Sequence, residues 1–321
     1  MHRYRFVLLR PLHLVPVLFG ISVITFVLVR LIPGDPATTL AGPDASPQAI
    51  AAIRHDLGLD QPLVSQYLHW LGQVVTFDLG RSYLIGGDIG TLVMRGLGNT
   101  LALTISALVI AIAISLVLGP LWGASSRRSV DALITGVNTV TVALPTFVTG
   151  VLLILVFGVL WPVLPTGGAP PDGYLARPDI AAQYLILPAL CLALPVAAVL
   201  TRFIAETLRT ELRQPYVVTA TALGVSRRRV VVRHALRNAL PTTVTVLGIQ
   251  VGNLLGGAVL VEAIFSWPGL GQLLEQGISR RDYPVVQILL LLSVTVFVAI
   301  QLLTDLAHAW LDPRVRVGEA A

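Results

Sequence analysis

The stretch TATALGVSRRRVVVRHALRN, residues 219–238, decides how this chain is read. Its spacing, Ala220-x3-Gly224-x5-Val230, is that of two short helices joined at a glycine. A small residue stands at the crossing, a glycine at the turn and an apolar anchor beyond it. Basic residues follow, as on a recognition helix facing nucleic-acid phosphates. Whether the pair reads DNA or serves another partner depends on the chain around it.

Composition points to lipid. The 321 residues are 55% hydrophobic and 12% charged, with a mean hydropathy of +0.81. A soluble domain carries about 25% charged residues. The net charge of +5 is not spread over a soluble surface but gathered into loops. All 22 residues of the Lys+Arg total are arginine, so the chain has no lysine. A Walker A phosphate loop needs its lysine on the nucleotide phosphates, so ATP used in energised work is bound by another chain. The single cysteine, Cys191, lies in an apolar run and reads as a small core residue.

A membrane helix needs roughly 20 predominantly apolar residues. Six stretches qualify: Leu12–Leu31, Thr100–Trp122, Ala132–Trp161 with a kink expected at Pro145, Ile180–Thr201, Leu240–Val261 and Val285–Thr304. The fourth carries Pro188 and Pro195, which membrane helices tolerate where neighbours satisfy the freed carbonyls. The first has a longer apolar core than a signal sequence and no small-x-small cleavage site after it, so it reads as an uncleaved helix. The fold class is therefore an all-α integral membrane protein with six transmembrane helices.

Arginine placement orients it. With the N-terminus inside, fifteen arginines are cytoplasmic and six are outside, with Arg30 at the outer edge of the first span. Both termini are then cytoplasmic, in a bacterial cell membrane. The expected organisation is an anchor helix at 1–31, an extracytoplasmic segment at 32–98, a five-helix core at 99–312 and a tail at 313–321. The outer segment promises short helices near QAIAAIRHDLGL and SQYLHWLGQVV, and is either a docking cap or a solvated loop.

The opening stretch falls in the other large connection, at about 207–239. Between Arg202 and Asn238 stand eight arginines and two acids. From Ser226 onward Arg229, Arg233 and Arg237 recur on one helical face, with Val232, Ala235, Leu236 and Ala239 on another. A DNA reader brings a third helix and its own core, for which 37 residues between two spans leave no room; nucleic acid is not the partner. Inner loops are arginine-rich for topology and anionic lipid, which explains the charge but not the glycine break. A glycine-bent helix pair suits a knob entering a groove on a cytoplasmic partner.

The segment Tyr216–Pro241 resembles the cytoplasmic EAA loop of ABC-importer permeases, and more closely the B-type permease of dipeptide, oligopeptide and nickel importers. The similarity continues through LIPGDPA at 31–37, LGLDQPL…QYLHWL at 57–71, FDLGRS at 77–82 and LPALCLALP at 187–195. It runs on through GGAVLVEAIFSWPGLGQLL at 256–274, RDYPVVQ at 281–287 and LLTDLAHAWLDPRVR at 302–316. The general motif has glutamate at the place of Val218 and ends in Ile-x-Leu-Pro where this chain has His234, Ala235, Leu236 and Arg237; the family often has a basic residue at Val218 and Leu223.

The resemblance implies a type I ABC importer permease fold. It implies a homologous second permease, two ABC ATPase subunits carrying ATP and magnesium, an extracytoplasmic substrate-binding protein and surrounding membrane lipid as partners. This chain holds no cofactor and is not itself the ATPase. Carried over, Ala220, Gly224, Val225, Ser226 and Arg227 couple the permease to the ATPases. Peptides are the expected cargo, with nickel chelates, glutathione-like solutes and oligosaccharides as alternatives.

The translocation path has fewer signals. Gly248, Gly252 and Gly256 recur every four residues, a pattern of close helix packing. Gln250 and Asn253 between them are either packing contacts or cavity lining, and Glu262 is expected at the cavity mouth or against a docked binding protein. SWPGLG at 266–271 should break the chain and start a surface helix. An ion-coupled carrier wants acids or histidines deep in the bundle, and all six histidines fall outside or at the edge of the spans. No H-E-x-x-H or G-x-S-x-G motif suggests an intramembrane enzyme.

Overall fold

The computed structural model of the protein describes residues 2–31, 35–42, 44–171 and 173–311. In chain order the helices begin with α1 His2–Leu31, α2 Pro36–Ala41, α3 Pro47–Asp56, α4 Leu63–Val75 and α5 Ile89–Ala124. There follow α6 Arg128–Ala143, α7 Thr146–Ile154 with a π-helical turn at Leu155–Leu160, α8 Gly173–Ala176 and α9 Pro178–Glu211. The chain continues through α10 Pro215–Ala222, α11 Arg227–Arg229 with a π-helical turn at Val230–Ala235, and α12 Leu236–Ile264. It closes on α13 Leu270–Arg280 and α14 Tyr283–Leu311. Beyond helices, the described residues hold an isolated bridge between Arg81 and Asp88.

Among the described residues four helices are long and apolar enough to cross a membrane, lying at Ile89–Ala124, Pro178–Glu211, Thr243–Ile264 and Tyr283–Ile300. In α1 the described apolar stretch is Pro16–Leu31. The third expected span is not one kinked helix. It is two, α6 and α7, bent by 103°. Pro145 has no N–H to donate, and its ring drives Leu144 into extended backbone, φ −73° and ψ 125°. Pro188 and Pro195 instead stay inside an unbroken α9. That helix is clothed by neighbours along its length, whereas α6 buries no residue that would hold its backbone straight.

The chain forms two compact units. One comprises Met1–Thr100 and Pro268–Leu302. Its core holds Ile89, Val93, Leu273, Val285, Ile288 and Leu289. The expected short helices of the outer segment are α3 and α4. Asp35 caps α2 through the Ala37 N–H at 3.1 Å and pairs with Arg54 of α3. Phe26 of α1 meets Tyr67 of α4 edge-on at 5.2 Å, and the Ser22 and Tyr67 hydroxyls lie 2.8 Å apart. Arg30 lies over the Phe26 ring at 3.6 Å and donates to Gln66 Oε1. Aromatic rings with a snorkelling arginine suit a membrane–water boundary, which explains a charge at the end of an apolar helix. The arginines at 314 and 316 of the expected tail, and Pro33, lie outside the described residues.

The other unit comprises Leu101–Trp267 and Leu303–Ala321. Its core is centred on α9, with Leu187, Cys191, Leu200, Leu254 and Trp267 among the buried residues. Helices α5 and α12 both pack on α9. A Cβ added to Gly119 would lie 2.7 Å from Ile204 Cγ2, and one at Gly123 would lie 2.9 Å from the Ala205 carbonyl oxygen. A close small-xxx-small crossing therefore lies on α5. On α12 a Cβ at Gly257 would meet Leu192 at 3.0 Å, while one at Gly256 would meet nothing within 4 Å. The expected packing role of Gly256 is corrected by one residue, because each step around a helix turns the side chain by roughly 100°.

Candidate functional site

The site begins where α9 ends. Gln214 is extended at φ −72° and ψ 149°, and Pro215 starts α10 in the position a proline favours. The Tyr216 hydroxyl donates to Glu211 Oε2 at 2.7 Å, tying α10 back to α9. Burial, reinforced by that carboxylate, pushes the Tyr216 pKa above the ordinary phenol range.

Helix α10 stops in a Schellman motif. The Val225 N–H donates to the Ala220 carbonyl at 3.1 Å and the Gly224 N–H to the Thr221 carbonyl at 3.0 Å. Gly224 takes the left-handed conformation at φ 80°. Here the Ala-x3-Gly spacing acquires its physical content: Ala220 and Gly224 are the two ends of a helix stop. A Cβ at Gly224 would meet nothing within 4 Å, so the requirement for glycine lies in the backbone and not in crowding.

Ser226 returns the chain to extended backbone, φ −61° and ψ 143°, and Arg227 starts the second helix. Val230, Val231 and Ala235 are buried there, while Val232 is 55% exposed. The π-helical turn explains why the expected apolar face through Val232 is wrong: its wider winding shifts register by one residue. Arg229, Arg233 and Arg237 are exposed as their spacing predicts. Val218 and Leu223 are 67% and 78% exposed, so the elbow presents two bare apolar side chains among arginines.

Arg227 is anchored. Its guanidinium donates to the Ala124 carbonyl at 2.9 Å, at the last residue of α5. Beside it the Trp122 indole N–H donates to Asp131 Oδ1 at 2.8 Å, and Arg209 donates to the same oxygen at 2.6 Å. The Arg209 guanidinium also lies 5.4 Å from the Trp122 ring centre. This network joins the ends of α5 and α9 to the start of α6, and sequence reasoning missed it. Its partners stand 9 and 78 residues apart, so no periodicity links them.

On α12 the exposed residues Thr245, Ile249, Asn253, Gly256, Val259, Leu260 and Ala263 fall on one helical face. Asn253 donates to Gln250 Oε1 at 2.9 Å, and Gln250 itself is buried behind it. Glu262 does not belong to this face. It is fully buried, roughly 200° around the helix from Leu260, which corrects its expected place at a cavity mouth. Among the described residues no cluster of histidine, cysteine or carboxylate side chains is placed to hold a metal ion.

Comparison with known proteins agrees with this architecture. Residues 111–317 match the family model described as binding-protein-dependent transport system inner membrane component. Residues 3–104 match the N-terminal model of such membrane components. The glutathione transport system permease protein GsiC of Escherichia coli K12 is 40% identical over 311 residues, covering 97% of this chain and 98% of the relative. The protein of the same name from Shigella flexneri serotype 5b is 39% identical over the same shares. Among solved structures, the inward-facing MetNI methionine ABC transporter matches with a TM-score of 0.52 at 21% identity, over 69% of this chain and 96% of that one. An amino acid ABC transporter with histidines matches with a TM-score of 0.50 at 18% identity, over 68% and 94%. At such identities the likeness is one of fold. The chain is a permease subunit integral to the inner membrane and belongs to the family of binding-protein-dependent transport system inner membrane components.

Proposed function

We propose that this chain imports short peptides, glutathione-like tripeptides among them, as one of two permeases driven by ATPases on the cytoplasmic side. In this reading it crosses the membrane six times with both termini inside, and the 207–239 loop grips an ATPase subunit. Peptide cargo is supported by the resemblance to peptide-importer permeases and by the name of the relatives at 40% identity. ATP is hydrolysed in trans, since a chain without lysine supplies no Walker A loop.

The observation that carries the reading is the elbow. A Schellman-stopped α10 and a following basic helix form a short projection, with Val218, Leu223 and Arg228 exposed and Arg227 tied to the end of α5. Force on the elbow would pass through Arg227 into a membrane helix, as a hinge transition requires. In the same reading Asn253 and Gly256 face the path, Gln250 orients Asn253, and Glu262 is a fixed interior group.

The test is reconstitution of the full complex in proteoliposomes, with glutathione and alanine tripeptides as cargo. Gly224→Val forces a β-branched side chain into a left-handed backbone, at a cost of about 1–2 kcal/mol. We expect the spans to stay folded and peptide-stimulated ATP hydrolysis to fall with uptake. Unchanged stimulation and uptake would remove the elbow from coupling. For topology, Arg227→Cys should react with a membrane-impermeant maleimide only from the cytoplasm, buried Cys191 staying silent.

A further inference from the structure

Helix α4 carries a wide apolar arc that the chain covers only in part. Tyr67, Trp70 and Val74 recur at i, i+3 and i+7 and pack inward. Tyr67 meets Phe26 of α1, and Trp70 and Val74 pack on the core that holds Ile89 and Leu289. Val64, Leu68, Leu71 and Val75 recur at i, i+4, i+7 and i+11, roughly 100° further around the helix. Leu71 is half-buried, and the other three are 60–70% exposed. The remaining arc is polar, and its Gln66, His69 and Gln73 line a cleft of about 480 Å³.

Depth decides what covers the bare arc. The Tyr67 ring also meets Phe19 edge-on at 6.4 Å, and its hydroxyl lies 2.8 Å from that of Ser22. Ser22 stands nine residues before the end of α1 at Leu31, about 13 Å at 1.5 Å per residue. Helix α4 therefore lies beside the apolar stretch of α1, not beyond its end. The uncovered face of α1 is aliphatic too: Ile24, Val27, Leu28 and Leu31 recur at helical spacing and are exposed. Phe77 adds to the bare surface just past the end of α4. It is 87% exposed and holds a left-handed φ of 60°, which is unfavourable for a bulky residue.

We propose that α4 is an interfacial helix whose arc of Val64, Leu68, Leu71 and Val75 lies against lipid acyl chains, in the leaflet at the Leu31 end of α1. Its polar arc faces the cleft, where water solvates it, and its bare arc asks for no hydrogen-bonding neighbour. Helices divided in this way lie along the boundary between headgroups and acyl chains. A protein partner is met by an apolar centre enriched in aromatic residues with a polar rim. This arc is instead aliphatic along its length, like the bare face of α1 beside it. Lipid contact follows only if α1 lies in the membrane, as in the six-span reading. The α4 part of the outer segment is then neither a solvated loop nor a docking cap but part of the membrane-embedded surface.

The test is spin-label accessibility in the assembled transporter, in nanodiscs of phosphatidylethanolamine and phosphatidylglycerol, with exposed cysteines of the other subunits replaced. Nitroxides are attached through Val64→Cys, Leu68→Cys and Val75→Cys, with His69→Cys on the polar arc and Ile24→Cys on α1 as references; native Cys191 is buried. At 64, 68 and 75 we expect ready collision with oxygen, which dissolves among acyl chains, and loss of collision with a water-soluble nickel chelate. At 69 the chelate should collide freely. Nickel access at 64, 68 and 75 equal to that at 69 overturns the proposal and makes the arc a solvated surface. Protection from both reagents also overturns it, because a protein then covers the arc. Should labels at all three positions block assembly, the unaltered chain decides through a lipid with a photoreactive diazirine in its acyl chain. Crosslinks within 63–77 support the proposal, and crosslinks on α1 without any there overturn it. Nickel access at Ile24 would overturn the six-span reading, whereas a lipid profile at Ile24 without one on α4 overturns this inference alone.

Discussion

Helices α5 and α12 pack on the same partner, α9, yet turn different faces outward. On α5 the exposed residues Leu101, Ile105, Val109, Ala113, Val117 and Leu121 are aliphatic throughout. On α12 the corresponding stripe mixes Thr245, Asn253 and Gly256 with Ile249 and Leu260. Lipid tails offer no hydrogen bonds, so a face like that of α5 suits them and an exposed amide does not. The outward face of α5 thus suits lipid, and that of α12 suits a more polar neighbour. Mean hydropathy is high for both spans, 2.8 against 1.8, so composition separates them less sharply than the faces do.

The largest expected effect breaks the comparison at its glycines. Gly123→Val drives a side chain against the Ala205 backbone and should cost about 1–3 kcal/mol, seen as a lower thermal midpoint in detergent. Gly256→Val meets open space within this chain and should leave that midpoint unchanged while reducing peptide uptake. Equal destabilisation by the two would erase the distinction between a packing face and a free one.

A smaller effect sharpens it. Asn253→Leu removes the amide that donates to Gln250 one turn earlier on the same helix, at a cost to the fold of about 0.2–0.5 kcal/mol. Uptake should fall by more than stability predicts. The mirror change, Val109→Asn on α5, should impair membrane insertion and leave the transport of correctly inserted molecules intact. A transport defect confined to Val109→Asn would reverse the assignment of the two faces.

The next test lies at the Ala124 end of α5. Trp122→Phe keeps the ring but loses the indole donor to Asp131, a loss of about 1 kcal/mol. The expected signature is more ATP hydrolysed per peptide imported, with substrate affinity unchanged. An unaltered ratio would show that force from the elbow reaches α5 without this network.

The smallest effect belongs to neither helix and gives a baseline. A hydrogen bond of 2.7 Å that His55 Nδ1 donates to Asp60 Oδ2, helped by the charges of Asp60 and Asp56, raises the His55 pKa above the ordinary imidazole value. The same bond lowers the Asp60 pKa. A raised histidine contributes stability below its unfolded pKa and loses it as pH rises through the folded one. A lowered aspartate contributes above its unfolded pKa and loses it on acidification. The pair therefore helps between about pH 4 and pH 6.5, bounded by the unfolded carboxylate and imidazole values. Asp60→Asn should lower the His55 titration midpoint seen by NMR without altering uptake. The pair is solvent-exposed, so a transport defect there would point to a role other than this bond.

Most of the elbow was legible in the sequence because its geometry is local. Schellman bonds link residues three and five apart, so Ala220 and Gly224 announce the stop by spacing alone. The same locality explains why α3, α4 and the helix after SWPGLG were found from short patterns. Trp122, Asp131 and Arg209 were invisible for the opposite reason, as were Ser82 and Asp282, whose bond spans 200 residues. Val218 and Leu223 sit between these cases. Their departure from the family pattern was readable, and the fold leaves both exposed at the tip.

By itself the sequence determined the quantities that depend on composition and on neighbours along the chain. These are a helical membrane protein, the places of four of its spans, the arginine-rich loop and the absence of a lysine for ATP. Tertiary structure alone decided the rest, because packing selects among locally equivalent choices. Pro145 breaks the chain after a helix that has no buried residue, while Pro188 and Pro195 ride in one that is largely buried. Gly257 meets α9 where Gly256 does not, one residue being enough to turn a side chain away from its neighbour. Glu262 goes inward, and a π-helical turn rotates Val232 out. In each case the local pattern allowed two outcomes, and contacts between distant segments chose one.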